Sequence, residues 1–212
     1  MDRASYYEEM KRLAHEVRQQ YGVTTSKVGL KLIRWIYKEE GIELDYWRPK
    51  LRKVRAAYFI VDGAPCVLLN AGIKPKEPRI FALCHELKHH YVDRQRAESG
   101  GLSCQHDVSW RDGSPIEIGA EMFAAEFIFT EAEFVSLARN LGLDKRCLKE
   151  DVVRLKRESP APVSYTFIRK RLQWLGLAKP GEFDGIQFQK LEDELYGVPF
   201  FRRVRRRQGV TT

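Results

Sequence analysis

Two histidines and a glutamate stand close together in the middle of the chain, in the sequence His85-Glu86-Leu87-Lys88-His89. Residues four positions apart share one face of an α-helix, so the imidazoles of His85 and His89 can bind a single metal ion. Glu86 reaches the remaining side of such a site, where its carboxylate can act as a general base toward water. The pattern therefore predicts a zinc site suited to peptide-bond hydrolysis.

The HExxH pattern alone has a simpler interpretation, because short motifs recur by chance and these residues can also form the polar face of an amphipathic helix. A catalytic zinc ion needs a third protein ligand and an open position. The apolar segment 116–129 offers Glu117, Glu121 and Glu126, of which the first two share a helix face. A carboxylate on so hydrophobic a helix needs a partner, and a metal ion would be one. For Glu121 and Glu126 an exposed acidic stripe is an equally good interpretation.

Hydrolysis also needs a hydrogen-bond donor for the transition state, and the sequence offers several candidates without choosing among them. These candidates are His90, Tyr91 and His106. His90 projects about 100° around the helix from the neighbouring His89, so we expect it to have a structural or surface role. His15 lies on the first predicted helix, where we expect it at the surface.

Composition is typical of a globular protein, with 43% hydrophobic and 31% charged residues among 212. No apolar run approaches the roughly 20 residues of a membrane span, and the N-terminus carries no apolar signal segment. The four cysteines form no CxxC pair, so we expect neither a disulfide framework nor a thiolate zinc site. Cys84 is expected in the core, and Cys104, close to His106, is only a weak metal signal. These features predict a cytoplasmic protein.

The net charge of +8 and the isoelectric point near 9.3 raise the question of nucleic-acid binding. Much of the excess lies in the C-terminal cluster of Arg202, Arg203, Arg205, Arg206 and Arg207. This cluster is either a solvated flexible tail or an arm that contacts anions and DNA. A second basic stretch, 48–55, is expected to form a loop and a strand edge.

Hydrophobic periodicity and turn signals predict the elements that position the motif. Pro78 is expected in the first turn of the motif helix, and Asp62-Gly63 is a hairpin turn signal. The expected helices cover 5–20, about 28–36, 78–93, 116–129, 131–143 and two segments within 150–177, the last with Ser164 as N-cap. The expected strands cover 42–47, 56–61 and 65–70. The segment 94–114 is expected to be a long surface loop.

Two blocks carry a family resemblance: FALCHELKHHYV at 81–92, and ExxAxxFAAEFIF at 117–129. Together with the preceding helices and hairpin and the closing RLxxLGL, they resemble the ImmA/IrrE family of bacterial zinc metallopeptidases over about residues 5–178. The resemblance implies that His85 and His89 are zinc ligands, that Glu86 is the catalytic glutamate and that Glu117 is the third ligand, a gluzincin-like HExxH…E set. Glu121 stands where the family often has asparagine, and it is a candidate for orienting a ligand.

Other departures from the family pattern affect the chain less. Cys84 replaces the usual alanine, and Phe129-Thr130 replaces a Met-Pro helix ending. The implied fold is α+β: a mostly helical zincin-like metallopeptidase domain with a small antiparallel β-sheet, followed by a C-terminal helical, helix-turn-helix-like segment. We expect the metallopeptidase domain at 1–130, the helical segment packed on it at 131–180, and a basic flexible tail at 181–212.

The resemblance also implies a function: a zinc metallo-endopeptidase that holds one Zn²⁺ ion and cleaves a protein. Family members are commonly encoded beside helix-turn-helix repressors of mobile elements or stress loci, so such a repressor is the expected substrate. The alternative is a non-proteolytic zinc-containing regulator that binds DNA or the repressor, supported by the helix-turn-helix-like segment 151–177. A toxin-like module of a mobile element is a third interpretation. Glu86 favours the enzyme, because a structural zinc site needs no general base.

Overall fold

The computed structural model describes residues 2–47, 54–98, 102–105, 114–143, 145–200 and 202. The described residues are mostly helical and include one mixed four-stranded sheet, so the predicted α+β class is confirmed. In chain order the elements are α1 Arg3–Gln20, α2 Leu30–Glu39, β1 Glu43–Trp47, β2 Val54–Val61, β3 Ala64–Asn70, α3 Lys76–Val92, α4 Arg94–Ala97, β4 Leu102–Gln105, α5 Pro115–Ile128, α6 Glu131–Asn140, α7 Lys149–Glu158, α8 Tyr165–Trp174 and α9 Phe188–Tyr196.

The sheet has the strand order β1-β3-β2-β4. The predicted hairpin is confirmed: β2 and β3 pair antiparallel, and Asp62 and Gly63 both have positive φ, at 50° and 79°. Positive φ at both central residues is the requirement of the tight turn that matches strand twist. The expectation of a purely antiparallel sheet is wrong, because β1 runs parallel to β3. Alternation of side chains predicts a strand but carries no information on the direction of its neighbour.

Two segments contain structure that we did not expect from the sequence. The expected surface loop 94–114 includes the short helix α4 and the strand β4, which pairs antiparallel with β2 at the edge of the sheet. Part of the expected flexible tail forms α9. Strands as short as β4 are too brief to show a clear alternation. The α9 segment does carry apolar residues at helical spacing, Phe188, Leu191 and Leu195, so this helix could have been predicted from its sequence.

The helices α3 and α5 pack against each other, and α3 also packs on the sheet while α1 covers α5. One side of α3 contributes Ile80, Leu83 and Leu87 to the core. The apolar residues of α5 lie all around its axis, and a helix with that pattern is buried on all sides. Phe123 and Phe127 are fully buried there, and their rings stack with centroids 6.0 Å apart.

The junction of α5 and α6 shows why Glu126 is buried. Thr130 and Glu133 form a capping box: the Glu133 N–H donates to Thr130 Oγ1 at 3.2 Å, and the Thr130 N–H donates to Glu133 Oε2 at 3.0 Å. The Glu126 carboxylate accepts the Glu131 N–H at 3.1 and 3.0 Å. Glu126 and Glu121 are both buried, so the interpretation of an exposed acidic stripe is wrong for both residues.

The chain divides into two compact units. Unit 1 consists of Met1–Phe134 and Pro160–Val163, and unit 2 of Val135–Ser159 and Ser164–Thr212. The sheet and α1–α5 lie in unit 1, and α7, α8 and α9 lie in unit 2. Ser164 caps α8 as predicted, accepting the Phe167 N–H at 3.1 Å. Among the described residues, no helix has the length and apolar character to cross a bilayer.

Candidate metal centre

Three side chains from α3 and α5 converge inside unit 1. His85 and His89 lie one turn apart on α3, and Glu117 comes from the first turn of α5. His85 Nε2 lies 3.1 Å from Glu117 Oε2, and His89 Nε2 lies 3.5 Å from Glu117 Oε1. One potential ligand atom from each residue lies within 4.8 Å of the others. The structure therefore brings together the three residues that the sequence proposed as ligands.

The spacing and chemistry of these atoms fit a zinc ion. Tetrahedral zinc with ligands at about 2.1 Å has ligand atoms about 3.4 Å apart. The two histidine–carboxylate separations, 3.1 and 3.5 Å, bracket that value. Imidazole nitrogen and carboxylate oxygen are also among the donors that zinc prefers in proteins. Both histidines are buried, whereas Glu117 keeps 18% of its side-chain surface exposed, so the cluster lies at the border of the interior.

His89 is oriented by a residue that the sequence analysis missed. The Nδ1 of His89 lies 2.7 Å from Asp93 Oδ2. An ionised carboxylate only accepts hydrogen bonds, so Nδ1 carries the proton and Nε2 keeps its lone pair on the Glu117 side. Carboxylate–histidine pairs of this kind fix the ring orientation of metal ligands. The signal was present in the sequence, because Asp93 follows His89 by four residues at the end of the same helix.

The electrostatics favour the protonation states in which these residues bind metal. Burial lowers the pKa of His89 and outweighs the opposing effect of Asp93, which favours the neutral imidazole. Burial acts to raise the pKa of Glu117, but hydrogen bonding to His85 and the charge of nearby groups, including Lys88, act against it and leave the pKa lowered. Asp93 also has a lowered pKa, since hydrogen bonds from His89 and Lys88 outweigh the effect of burial. Neutral histidine and ionised carboxylate are the forms that bind cations.

Glu86 has the environment of a proton acceptor rather than of a structural ion pair. It is fully buried, and neither carboxylate oxygen has a hydrogen-bond partner among the residues that the structure describes. Burial, followed by the nearby charge of Glu117, raises the pKa of Glu86 well above its ordinary value. A carboxylate with a raised pKa is a stronger base, suited to taking and returning a proton near neutral pH.

Residues 38–172 match the model of the Peptidase M78 family, described as an IrrE N-terminal-like domain. The match covers more than half of the 212 residues and includes the whole His85–Glu117 region. The chain belongs to the Peptidase M78 family. The resemblance to ImmA/IrrE proteins is therefore confirmed, and membership indicates a metallopeptidase-type function. A search of curated proteins found no match to the chain.

Among the residues that the structure describes, the other predicted site residues do not join the three-residue cluster. The Tyr91 hydroxyl donates to Glu40 Oε1 at 2.5 Å, so Tyr91 belongs to a separate polar group. His90 lies in the same group, with Nε2 3.4 Å from Glu40 and Nδ1 3.2 Å from the Tyr58 hydroxyl, which gives it the structural role that we expected. Glu121 is buried one turn after Glu117 on α5. His106 lies outside the described residues.

The M78 chain's basic C-terminus is described only at Arg202. Its guanidinium pairs with Asp193 of α9, with Nη2 2.6 Å from Oδ1 and Nη1 2.9 Å from Oδ2. Such a two-point pair holds this arginine against the helix. The structure does not describe the remaining arginines of the cluster, Arg203, Arg205, Arg206 and Arg207. Most of the basic stretch 48–55 also lies outside the described residues.

Proposed function

We propose that the chain is a zinc-dependent endopeptidase in which His85, His89 and Glu117 hold the metal and Glu86 is the general base. The observation that carries this proposal is the convergence of two histidine nitrogens and one carboxylate within 4.8 Å of one another. Family membership supports it independently, because the matched region contains every residue of the set. The buried Glu86 carboxylate, which has no hydrogen-bond partner in the described part of the chain, adds the base that a purely structural zinc site does not need.

Each residue has a distinct task in this mechanism. Zinc, when bound, supplies a Lewis acid that polarises a carbonyl and lowers the pKa of water toward neutrality. His85, His89 and Glu117 fix its position, and Asp93 keeps the Nε2 of His89 directed at it. Glu86 takes a proton from the attacking water and returns it to the leaving amine, and neither of its carboxylate oxygens is engaged by another described residue. Burial of Glu86 keeps bulk water from competing for that proton.

The proposed substrate is a helix-turn-helix transcriptional repressor of a mobile element or stress locus. Support comes from the resemblance to ImmA/IrrE proteins, whose members are commonly encoded beside such repressors. The net charge of +8 is compatible with a repressor met on DNA, since a positive protein is attracted to the phosphate backbone. We propose the arginines beyond Arg202 as the DNA-contacting part.

The alternative is a regulator that binds DNA or the repressor without cleaving it. In unit 2, two arginines of the predicted helix-turn-helix-like segment have partners within the unit. Arg157 lies over the Tyr196 ring at 4.1 Å and pairs with Glu192 at 3.3 Å. Arg169 pairs with Asp184. Arginines held in this way are less available to phosphates, so these contacts favour helical packing over insertion of α8 into a DNA groove.

The deciding experiment is co-expression of the repressor encoded beside the protein with wild type, Glu86→Gln and Glu16→Gln, followed by measurement of repressor length. Glu16 is an exposed glutamate on α1 and serves as the matched control. We expect wild type and E16Q to shorten the repressor and E86Q to slow cleavage by about 10²–10⁴-fold, the usual contribution of general acid–base catalysis. Cleavage at the wild-type rate in E86Q would refute the mechanism. Loss of repression with full-length repressor, in wild type and E86Q alike, would establish the binding-only alternative.

A further inference from the structure

Lys88 is fully buried, although lysine is among the residues least often found inside proteins. It lies between Glu86 and His89 on α3, but its long side chain is not one of the proposed metal ligands. Taking an ammonium group out of water is costly unless the group is paired and hydrogen-bonded. The groups that contact the Lys88 ammonium therefore indicate the role of a buried charge at this position.

The Lys88 ammonium contacts both parts of the candidate metal centre. Its Nζ lies 2.6 Å from Asp93 Oδ2, the same oxygen that accepts the hydrogen bond from His89 Nδ1. Nζ also donates to the backbone carbonyl of Ile116 at 3.2 Å. Ile116 directly precedes Glu117 in the first turn of α5. One ammonium thus links the carboxylate that orients a ligand on α3 to the backbone that carries the ligand on α5.

The third side of the ammonium faces α1. Nζ lies 5.6 Å from the centroid of the Tyr6 ring, within the range of a cation–π contact. An ammonium has three N–H donors, and Asp93, Ile116 and Tyr6 account for all three directions. The pKa of Lys88 is lowered, chiefly by burial, while Asp93 acts to raise it. The cost of burying the ammonium is thus offset in part by its contacts with Asp93, Ile116 and the Tyr6 ring.

We infer that Lys88 is a positioning residue of the metal centre, which holds Asp93 and the first turn of α5 so that His89 and Glu117 present their ligand atoms to one ion. This inference rests on the proposed metal site. Without the ammonium, Asp93 loses a charged partner at 2.6 Å and is free to turn away from His89. The Ile116 carbonyl loses its link to α3 at the same time. Both losses act on ligand geometry rather than on the chemical step.

The test compares Lys88→Met with Lys11→Met as control. Methionine keeps most of the length of the lysine side chain but lacks the N–H donors of the ammonium. Lys11 also forms ion pairs, at 2.9 Å to both Glu8 and Glu131, but these acids are not part of the metal cluster. Zinc affinity is measured on the full-length proteins by competition with a chromophoric chelator, and the absorption spectrum of Co²⁺ bound in place of zinc reports ligand geometry. We expect K88M to bind zinc about 10–100-fold more weakly, the usual effect of losing a group that orients a ligand, and to alter the Co²⁺ spectrum. K11M should change neither.

The outcomes separate this inference from the proposed function. If wild type binds no zinc and His89→Ala behaves like wild type, the proposed metal site is wrong. If wild type binds zinc and K88M matches it in affinity and Co²⁺ spectrum, Lys88 only fills space and the inference is wrong. Where K88M does not fold, Lys88→Gln decides, because an uncharged and shorter amide keeps a polar side chain but removes the charged donor that Asp93 and Ile116 share. Reduced zinc affinity in K88Q supports the inference, and wild-type affinity overturns it.

Discussion

Gly119 is the point at which the packing of α1 controls the position of Glu117. It lies two residues after Glu117 on α5 and is buried. A Cβ atom at this position would lie 2.6 Å from Cε1 and 2.9 Å from the hydroxyl oxygen of Tyr6. The Tyr6 ring therefore occupies the space of a side chain, and only glycine permits this close approach between the two helices.

Two opposing effects set the expected magnitude for Gly119→Ala. Inside a helix, alanine stabilises the folded state relative to glycine by about 0.8–1.0 kcal/mol. Overpacking of a filled site costs about 1–3 kcal/mol. We therefore expect G119A to lower the free energy of unfolding by up to about 2 kcal/mol in the wild-type background. In a Tyr6→Ala background the clash is absent, so the same substitution should raise that free energy by about 0.5–1 kcal/mol.

The measurement is a double-mutant cycle from urea unfolding of wild type, G119A, Y6A and the double mutant. The cycle removes the separate cost of losing the Tyr6 ring, including its contact with Lys88. We expect a coupling energy of about 1–3 kcal/mol, equal to the clash. Coupling below about 0.5 kcal/mol, the level found for independent sites, would show that the Tyr6 ring moves aside at no cost and would refute the proposed constraint.

Two further predictions concern the capping box between α5 and α6. Thr130→Ala removes the hydroxyl that accepts the Glu133 N–H. We expect the free energy of unfolding to fall by about 1 kcal/mol and the Tm, measured by circular dichroism, to fall by about 2–4 °C. An unchanged Tm would contradict the capping role. Burial acts to raise the pKa of Glu133, but the nearby Ser26 hydroxyl, the hydrogen bonds from Thr130 and the charge of Arg18 together outweigh it and leave the pKa lowered. Its ionised form therefore adds stability above the unfolded-state pKa of about 4.3, and that stability is lost as the pH falls through the lowered folded-state value. The stability difference between wild type and Glu133→Gln should thus be present at pH 7 and vanish in acid, and a difference independent of pH would exclude this role for the charge.

The parts of the candidate site that follow from local geometry could be predicted from the sequence. His85 and His89 are four residues apart, and residues with that spacing share one face of a helix. The apolar residues around them recur at helical spacing, which predicts the helix itself. Glu117 was a weaker prediction, because three glutamates on 116–129 were alternatives and the family resemblance selected one. The structure brings Glu117 within 3.1 Å of His85 and uses Glu126 as a cap.

The features that could not be predicted depend on contacts between distant segments. The parallel pairing of β1 with β3 depends on the tertiary path, not on side-chain alternation. The burial of Lys88 contradicts the usual preference of lysine for the surface, and only its partners Asp93 and Ile116 explain it. Departures from local rules of this kind are expected at functional sites.

The candidate metal centre depends on one relation that no single element fixes, the placement of α5 against α3. Two ligands come from α3 and are held in register by that helix, whereas Glu117 is carried by a second helix whose position must be correct to about 0.5 Å. Three contacts constrain this placement: Lys88 joins α3 to the first turn of α5, Asp93 joins Lys88 to His89, and the Tyr6 ring of α1 fills the space above Gly119. The first two are polar and act on the ligands, and the third is steric and acts on the helix. Substitutions at Lys88 should therefore weaken metal binding more than stability, and substitutions at Gly119 should do the opposite.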